Sequence, residues 1–248
     1  MAVRRLGLVK VTLLDFPGEV ACTVFTSGCN LRCPYCHNPE MVLGESVGDE
    51  IELSDFFQYL EKRRNLLGGV CITGGEPLIH EDLPELIEAI REKGLKVKVD
   101  TNGTFPERLE TLRADYIAMD LKTVPDKYPL LVPNAPLNLP RRIRESVEIL
   151  KASPIPHHFR TTAVPGIVDR EDFREILQLI QGESQFYLSG FRPGKTLDPA
   201  WGERIPYSEE ELEAWQADAV EAGLDCVLRM NREKGSSAQT APKTAGVS

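Results

Sequence analysis

Three of the six cysteines fall within eight residues, Cys29, Cys33 and Cys36 of the run GCNLRCPYCHNP at 28–39. Thiols this close together point to metal, and the spacing narrows the choice of metal. Structural zinc takes four tetrahedral ligands in a closed site. The trio would then need His37, which directly follows Cys36 and must fold back, or a distant donor. Cys33-Pro34-Tyr35-Cys36-His37 also fits the C-x-x-C-H spacing of covalent haem attachment, a reading that leaves Cys29 idle. Three thiolates on a short loop suit a cuboidal 4Fe-4S cluster: they hold three irons and leave the fourth open to a substrate or cofactor. On that reading the missing fourth ligand is the reactive position.

Such a loop needs a frame. Val20 to Ser27 predicts a core strand, with an antiparallel lead-in around Leu8 to Leu14 joined through the turn at Pro17-Gly18. Strand-like runs recur at Val70 to Thr73, Lys96 to Thr101, Tyr116 to Leu121, His158 to Ala163 and Gln185 to Phe191, with a further short one at Asp225 to Arg229. Between them apolar residues fall at helical spacing: Phe56, Phe57, Leu60 and Leu67 behind an expected N-cap at Ser54; Leu83, Leu86, Ile87 and Ile90 before Gly94; a short helix around Glu107 to Arg113; Ile143, Val147 and Leu150; Phe173, Ile176, Leu177 and Ile180. Ser208 and Glu211 form a capping box for a last helix carrying Leu212, Trp215 and Ala219. Six strand-then-helix units imply an α/β fold with a parallel sheet, since right-handed crossovers join parallel strands. Val124 to Pro140, rich in proline, reads as a long surface loop, and residues 232–248 as a disordered tail after a single domain over 1–231.

Ligands of parallel α/β folds sit at the carboxyl ends of the strands. There the sequence places, in turn, the cysteine loop, Gly74-Gly75-Glu76-Pro77, Asn102-Gly103, Asp120-Leu121-Lys122, Val164-Pro165-Gly166 and Phe191-Arg192-Pro193-Gly194. Each alone is an ordinary turn. Six in phase at one end point to one site.

Composition limits the partners. A chain of 248 residues that is 42% hydrophobic buries a substantial core, and a net charge of −9 argues against a polyphosphate backbone as main partner. The expectation is no nucleic acid, no membrane, and a reducing cytoplasmic location where clustered thiols read as metal ligands before disulfides. Cys22, Cys71 and Cys226, isolated in apolar runs, are expected in the core. His157 and His158 lie at the far end of their strand and read as structural, and His80 as a surface residue opening a helix. Taken singly, Asp120 and Lys122 also fit a surface ion pair.

C-x-x-x-C-x-x-C after a first strand, with Tyr35 before the last cysteine and GGEP after the second strand, resembles the radical S-adenosylmethionine superfamily. Thr12 to Gly18 (TLLDFPG), Cys36-His37-Asn38-Pro39 and Asp120-Leu121-Lys122 are similar to its glycyl-radical-enzyme activating enzymes, from about Leu6 to Arg229. The resemblance implies a partial (β/α)6 TIM-like barrel with the N-terminal antiparallel lead-in strand. It also implies one 4Fe-4S cluster on Cys29, Cys33 and Cys36, with S-adenosylmethionine chelating the open iron. The backbone at Gly74, Gly75 and Glu76 would receive the methionyl amino group. Tyr35 would lie beside the adenine, Asn102, Asp120 and Lys122 would address ribose or carboxylate, Arg160 would supply a further cation, and Val164 to Gly166 would pack on adenine. No catalytic side chain beyond the cluster and cofactor is implied.

The implied activity is reductive cleavage of S-adenosylmethionine to a 5′-deoxyadenosyl radical, which makes a glycyl radical on a partner. Anaerobic ribonucleoside-triphosphate reductase is the expected partner, and flavodoxin or ferredoxin the electron donor. Several activating enzymes insert a cysteine-rich segment after the first motif; His37 to Val70 contains no cysteine, so a single cluster is expected. The rivals are a radical enzyme acting on a small molecule and a noncatalytic iron-sulfur or metal module carrying electrons. The loop Arg192 to Tyr207 would line the entrance.

Overall fold

In the computed structural model, which describes residues 5–44, 50–132, 136–183 and 185–230, the chain enters through β1 (Arg5–Thr12) and returns antiparallel as β2 (Ala21–Thr26). Beyond the cysteine loop and a short helix α1 (Pro39–Leu43), β3 (Glu50–Glu52) pairs antiparallel on the outer side of β1. The strands β4 (Gly69–Gly74), β5 (Lys96–Thr101), β6 (Tyr116–Asp120), β7 (His157–Ala163), β8 (Gln185–Gly190) and β9 (Asp225–Arg229) then add in chain order, each parallel to the last, starting on β2. The sheet order is β3-β1-β2-β4-β5-β6-β7-β8-β9, and among the described residues no ladder joins β9 to β3. The result is an α/β partial barrel with the expected lead-in strand and an unclosed side. Residues 232–248 lie outside the described residues.

The crossovers are helices whose apolar stripes are buried. α2 (Leu53–Arg63) buries Phe56 and Leu60, and α3 (Leu83–Arg91) buries Leu83, Leu86, Ile87 and Ile90. α4 (Pro106–Glu110) is one short turn, α5 (Leu139–Ala152) buries Ile143, Val147 and Leu150, and α6 (Arg170–Leu179) buries Phe173, Ile176 and Leu177. α7 (Glu209–Glu221) opens on the Ser208 and Glu211 capping box. Val97, Val99, Ile117 and Phe159 face these helices and are fully buried. The alternate positions Cys71, Lys98, Asp100 and Arg160 turn to the barrel interior, because successive strand residues point to opposite faces.

Several expectations change. Ser54 does not cap α2: β3 runs straight into the helix, whose N-cap is Glu52 with no side-chain cap bond. β3 itself was not visible in the sequence, three residues being too few for a period. Val124 to Pro140 is not a plain surface loop. Pro125–Leu131 forms a 3-10 helix whose Tyr128 is fully buried, its hydroxyl accepting from Lys122 N at 3.0 Å and reaching the Asp120 carbonyl at 3.3 Å. Its Leu131 carbonyl accepts from Arg32 N at 2.7 Å, so it buttresses the cysteine loop from below.

His80 is buried rather than on the surface, with Nε2 3.0 Å from the Ser27 carbonyl, because the 3-10 turn Pro77–Ile79 folds it back onto the end of β2. His157 and His158 sit at the end of β7 away from the site, as structural residues. His157 Nε2 is 2.9 Å from Glu183, and His158 Nδ1 is 3.0 Å from the Tyr116 hydroxyl. Burial pushes the His158 pKa down to about 3. Cys22, Cys71 and Cys226 are buried. No helix among the described residues is long and apolar enough to cross a membrane.

Candidate functional site

The cysteine loop leaves β2 and is clamped on three sides. Gly28 takes a left-handed φ of +87° and donates to the Met41 carbonyl at 2.6 Å; Arg32 turns its guanidinium inward to the Cys29 and Leu31 carbonyls at 2.5 and 2.9 Å. The third clamp is the segment after β8. Leu197 N donates to the Cys36 carbonyl at 2.8 Å and Asp198 N to the Pro34 carbonyl at 2.9 Å. His37 stacks on Phe191, and its Nε2 lies 2.6 Å from the Arg192 carbonyl. The segment 192–207 is therefore a strap laid across the thiol loop.

The glycine loop after β4 is sewn to the same place. Gly75 N donates to the Thr26 carbonyl and Glu76 N to the Gly28 carbonyl, both at 2.9 Å. A Cβ on Gly75 would collide with the Gly28 carbonyl oxygen, and Gly74 combines a φ of +113° with a Thr26 carbonyl oxygen 2.5 Å from where its Cβ would be. Both positions therefore need glycine.

Glu76 is not a solvated turn carboxylate. It is buried and accepts from Leu78 N at 3.0 Å, Thr101 Oγ1 at 2.7 Å and Asn102 N at 2.6 Å. Burial pushes its pKa up to about 7, against the pull of those donors. Asn102 in turn donates to Asn30 Oδ1 at 3.0 Å, with Nδ2 4.0 Å from Cys29 Sγ, and so ties the third loop to the first.

The opposite wall is charged. Arg160 donates to both Asp120 oxygens, at 2.5 and 2.9 Å, and lies 3.1 Å from Asp100; Lys122 Nζ is 3.2 Å from Asp120. The surface-pair reading of Asp120 and Lys122 fails, since both are mostly buried and embedded in a network. Burial alone would favour a neutral Asp120, but Arg160 and Lys122 hold it well below the usual carboxylate range. Lys122 stays charged for the mirror reason: burial opposes its charge, and Asp120 and the thiols outweigh burial.

These walls enclose a cavity of about 260 Å3 lined by Cys29, Cys33, Cys36, Tyr35, Gly74, Gly75, Glu76, Asn102, Asp120, Lys122 and Arg160. All but one of the expected site residues meet there. Val164 does not: it is fully buried in the core at the end of β7, while Thr162 faces the cavity. Residues that sequence reasoning missed are Asp100, Thr73 and Thr101, which also line it. The alternation of Lys96 to Thr101 carried the only signal, by setting Lys98 and Asp100 on one face.

As for what it could hold, no trio of His, Cys, Asp or Glu among the described residues is gathered around one point as a single metal ion would require. Three soft thiols spread around a cavity beside a lysine fit a larger, anionic, thiolate-bound cluster. Burial pushes Cys29 up to about 11 and Cys33 up to about 12, with Lys122 pulling both back. Binding must therefore expel protons.

An open α/β barrel with a thiol trio at the end of its first parallel strand defines a class of cofactor-dependent enzymes. The Radical SAM superfamily model matches residues 23–180, and the chain belongs to that superfamily, whose members use a 4Fe-4S cluster and S-adenosylmethionine.

A Methanocaldococcus jannaschii relative, named as a candidate glycyl-radical enzyme activating enzyme, is 30% identical over 82% of this chain and 86% of its own. The pyruvate formate-lyase-activating enzyme of Staphylococcus aureus is 27% identical over 89% and 91%. A 7-carboxy-7-deazaguanine synthase of Methanopyrus kandleri is 36% identical but over 43% of this chain and 51% of its own. Among solved structures, Streptococcus suis SuiB shares the fold with a TM-score of 0.63 at 16% identity, over 84% of this chain and 48% of its own.

Proposed function

We propose that this radical SAM enzyme is an activating enzyme that installs a glycyl radical on a partner protein, with anaerobic ribonucleoside-triphosphate reductase as that partner. The observation that carries the reading is likeness to activating-type relatives along most of both chains, whereas likeness to the deazaguanine synthase stops at 43% of this one. The unclosed side of the sheet agrees with it, since a polypeptide loop needs a wider entry than a small molecule.

Cys29, Cys33 and Cys36 hold the cluster, and the chemistry that cluster and cofactor supply when bound is one-electron cleavage of the sulfonium to methionine and a 5′-deoxyadenosyl radical. The chain's own residues do the rest. The strap, the 3-10 helix and Gly28 fix the thiol loop, and the Gly74 to Glu76 backbone lets the methionyl end approach closely. Lys122 and Asp120 present opposite charges to a zwitterion, and buried Glu76 keeps the loops in register and water out. Arg160 acts through Asp120, both of whose oxygens it holds, and Tyr35 closes the adenine side. A flavodoxin or ferredoxin in the cytoplasm supplies the electron.

The test is anaerobic reconstitution and reduction with S-adenosylmethionine, an assay of 5′-deoxyadenosine, and a Cys33→Ala control. Addition of the reductase should then yield a glycyl radical by electron paramagnetic resonance. Nucleoside formation without any protein radical, but with turnover of a nucleotide-derived heterocycle, would instead favour the small-molecule reading that the synthase match supports.

A further inference from the structure

Barrels of this type ordinarily fill their interior with Val, Ile and Leu. Here five side chains from neighbouring strands and the loop after β6 form a row of alternating charge. Lys98 pairs with Asp100, Asp100 Oδ2 is 3.1 Å from Arg160 Nη2, Arg160 holds both oxygens of Asp120, and Asp120 Oδ2 is 3.2 Å from Lys122 Nζ. Each inner member is shared by two neighbours of opposite sign. If Asp100 swung away, Lys98 would lose its carboxylate partner in the core, and if Arg160 swung away, both carboxylates would lose the cation they share.

Lys98 is the far end of the row. It is 2% exposed, does not line the cavity, and its other polar neighbour is the Cys71 thiol at 3.7 Å. Buried ion pairs are a poor source of stability, because apolar residues of equal volume usually serve as well or better. Orientation remains as what the row provides. Three cations against two anions leave the row with one positive charge in excess, and of its two terminal cations Lys122 is the one that faces the same cavity as the three thiols.

We propose that Lys98 and Asp100 are positioning residues: by anchoring Arg160 they fix Asp120, and through it the Lys122 ammonium, beside the cluster, where its charge favours the reduced state. This rests on Cys29, Cys33 and Cys36 as cluster ligands and is independent of what receives the radical.

The test is a redox titration of the reconstituted full chain, followed by electron paramagnetic resonance, for Lys122→Met and for the double variant Lys98→Met/Asp100→Leu. The double variant removes one charge of each sign, so direct action at a distance nearly cancels. At a fixed applied potential the ratio of reduced to oxidised cluster falls about tenfold in Lys122→Met, a 59 mV shift for a one-electron couple, and about threefold in the double variant. Iron content stays that of the wild type. A double variant that titrates with the wild type while Lys122→Met shifts overturns the positioning role, and an unshifted Lys122→Met overturns the premise beneath it. Should the apolar pair not fold, Lys98→Met/Asp100→Asn carries the same expectation and the same overturning result. Failure of the ligand assignment reads differently: Cys33→Ala would then keep its iron.

Discussion

The wall of the cavity behind β2 and β4 keeps its shape through backbone and glycine, whereas the wall behind β5, β6 and β7 keeps it through charge. On the first, main-chain groups of Thr26, Gly28, Gly75 and Glu76 bond one another and leave no room for a side chain. On the second, the backbone stays in its ladder and side chains reach out to pair, Arg160 to two carboxylates at once. The first wall therefore fails by steric collision and the second by uncompensated charge. Those failures differ in size and in their response to pH.

The largest expected effect is Gly75→Ala. The new methyl group meets a carbonyl whose own residue is held by Met41, so neither side yields. Iron retention and cooperative melting should both be lost, and a Gly75→Ala protein that loads iron and melts like the wild type would break the comparison. Arg160→Leu comes next. It leaves Asp120 and Asp100 facing one another without their shared cation, at a cost of about 3–5 kcal/mol, measurable by urea unfolding of the apoprotein.

Glu76 links the walls and gives a pH signature. Its folded pKa of about 7 lies above the ordinary 4.5, so the folded protein keeps a proton that the unfolded chain releases. The resulting stabilisation is present below about pH 4.5 and lost as pH rises toward 7. At 1.36 kcal/mol per unit it amounts to roughly 3 kcal/mol at most. Glu76→Gln should flatten that slope relative to the wild type across the window, and parallel slopes in the two proteins would refute the assignment. The smallest effect belongs to the exposed pair of Lys195 with Glu40 on the strap. Lys195→Ala should leave the urea-unfolding midpoint at that of the wild type, because solvent screens so exposed a pair.

The same contrast explains what was legible in the sequence. The backbone wall is written in contiguous residues, Cys29 to Cys36 and Gly74 to Pro77, because a tight loop needs its glycines and thiols side by side. The charged wall draws single residues from separate strands. Asn102, Asp120 and Lys122 showed only as ordinary turns in phase at the strand ends, and Arg160 was named only through the family likeness. Lys98 and Asp100 were passed over because polar alternation in a strand ordinarily marks the solvent face, and here that face is the barrel interior. Val164 lies in the core at its strand end and off the cavity wall, a placement that a Val-Pro-Gly turn does not reveal. Tyr128 was hidden in a proline-rich run that reads as loop, and His80 was read as surface because only its contact with the end of β2 buries it. The strap's pairing with the thiol loop left no local pattern at all, since backbone bonds across such a distance make no demand on side-chain type.

That distance also sets an order of events during synthesis. His37 and the Arg192 carbonyl it meets are 155 residues apart, and a ribosome adding about 5–20 residues per second takes roughly eight to thirty seconds to cover them. The three thiols are made well ahead of the strap that supplies their last clamp, His37 preceding Arg192 by 155 residues. Until that segment is made the thiol loop lacks the bonds to its Pro34 and Cys36 carbonyls, so the pace of translation sets how long the thiols wait for their clamp.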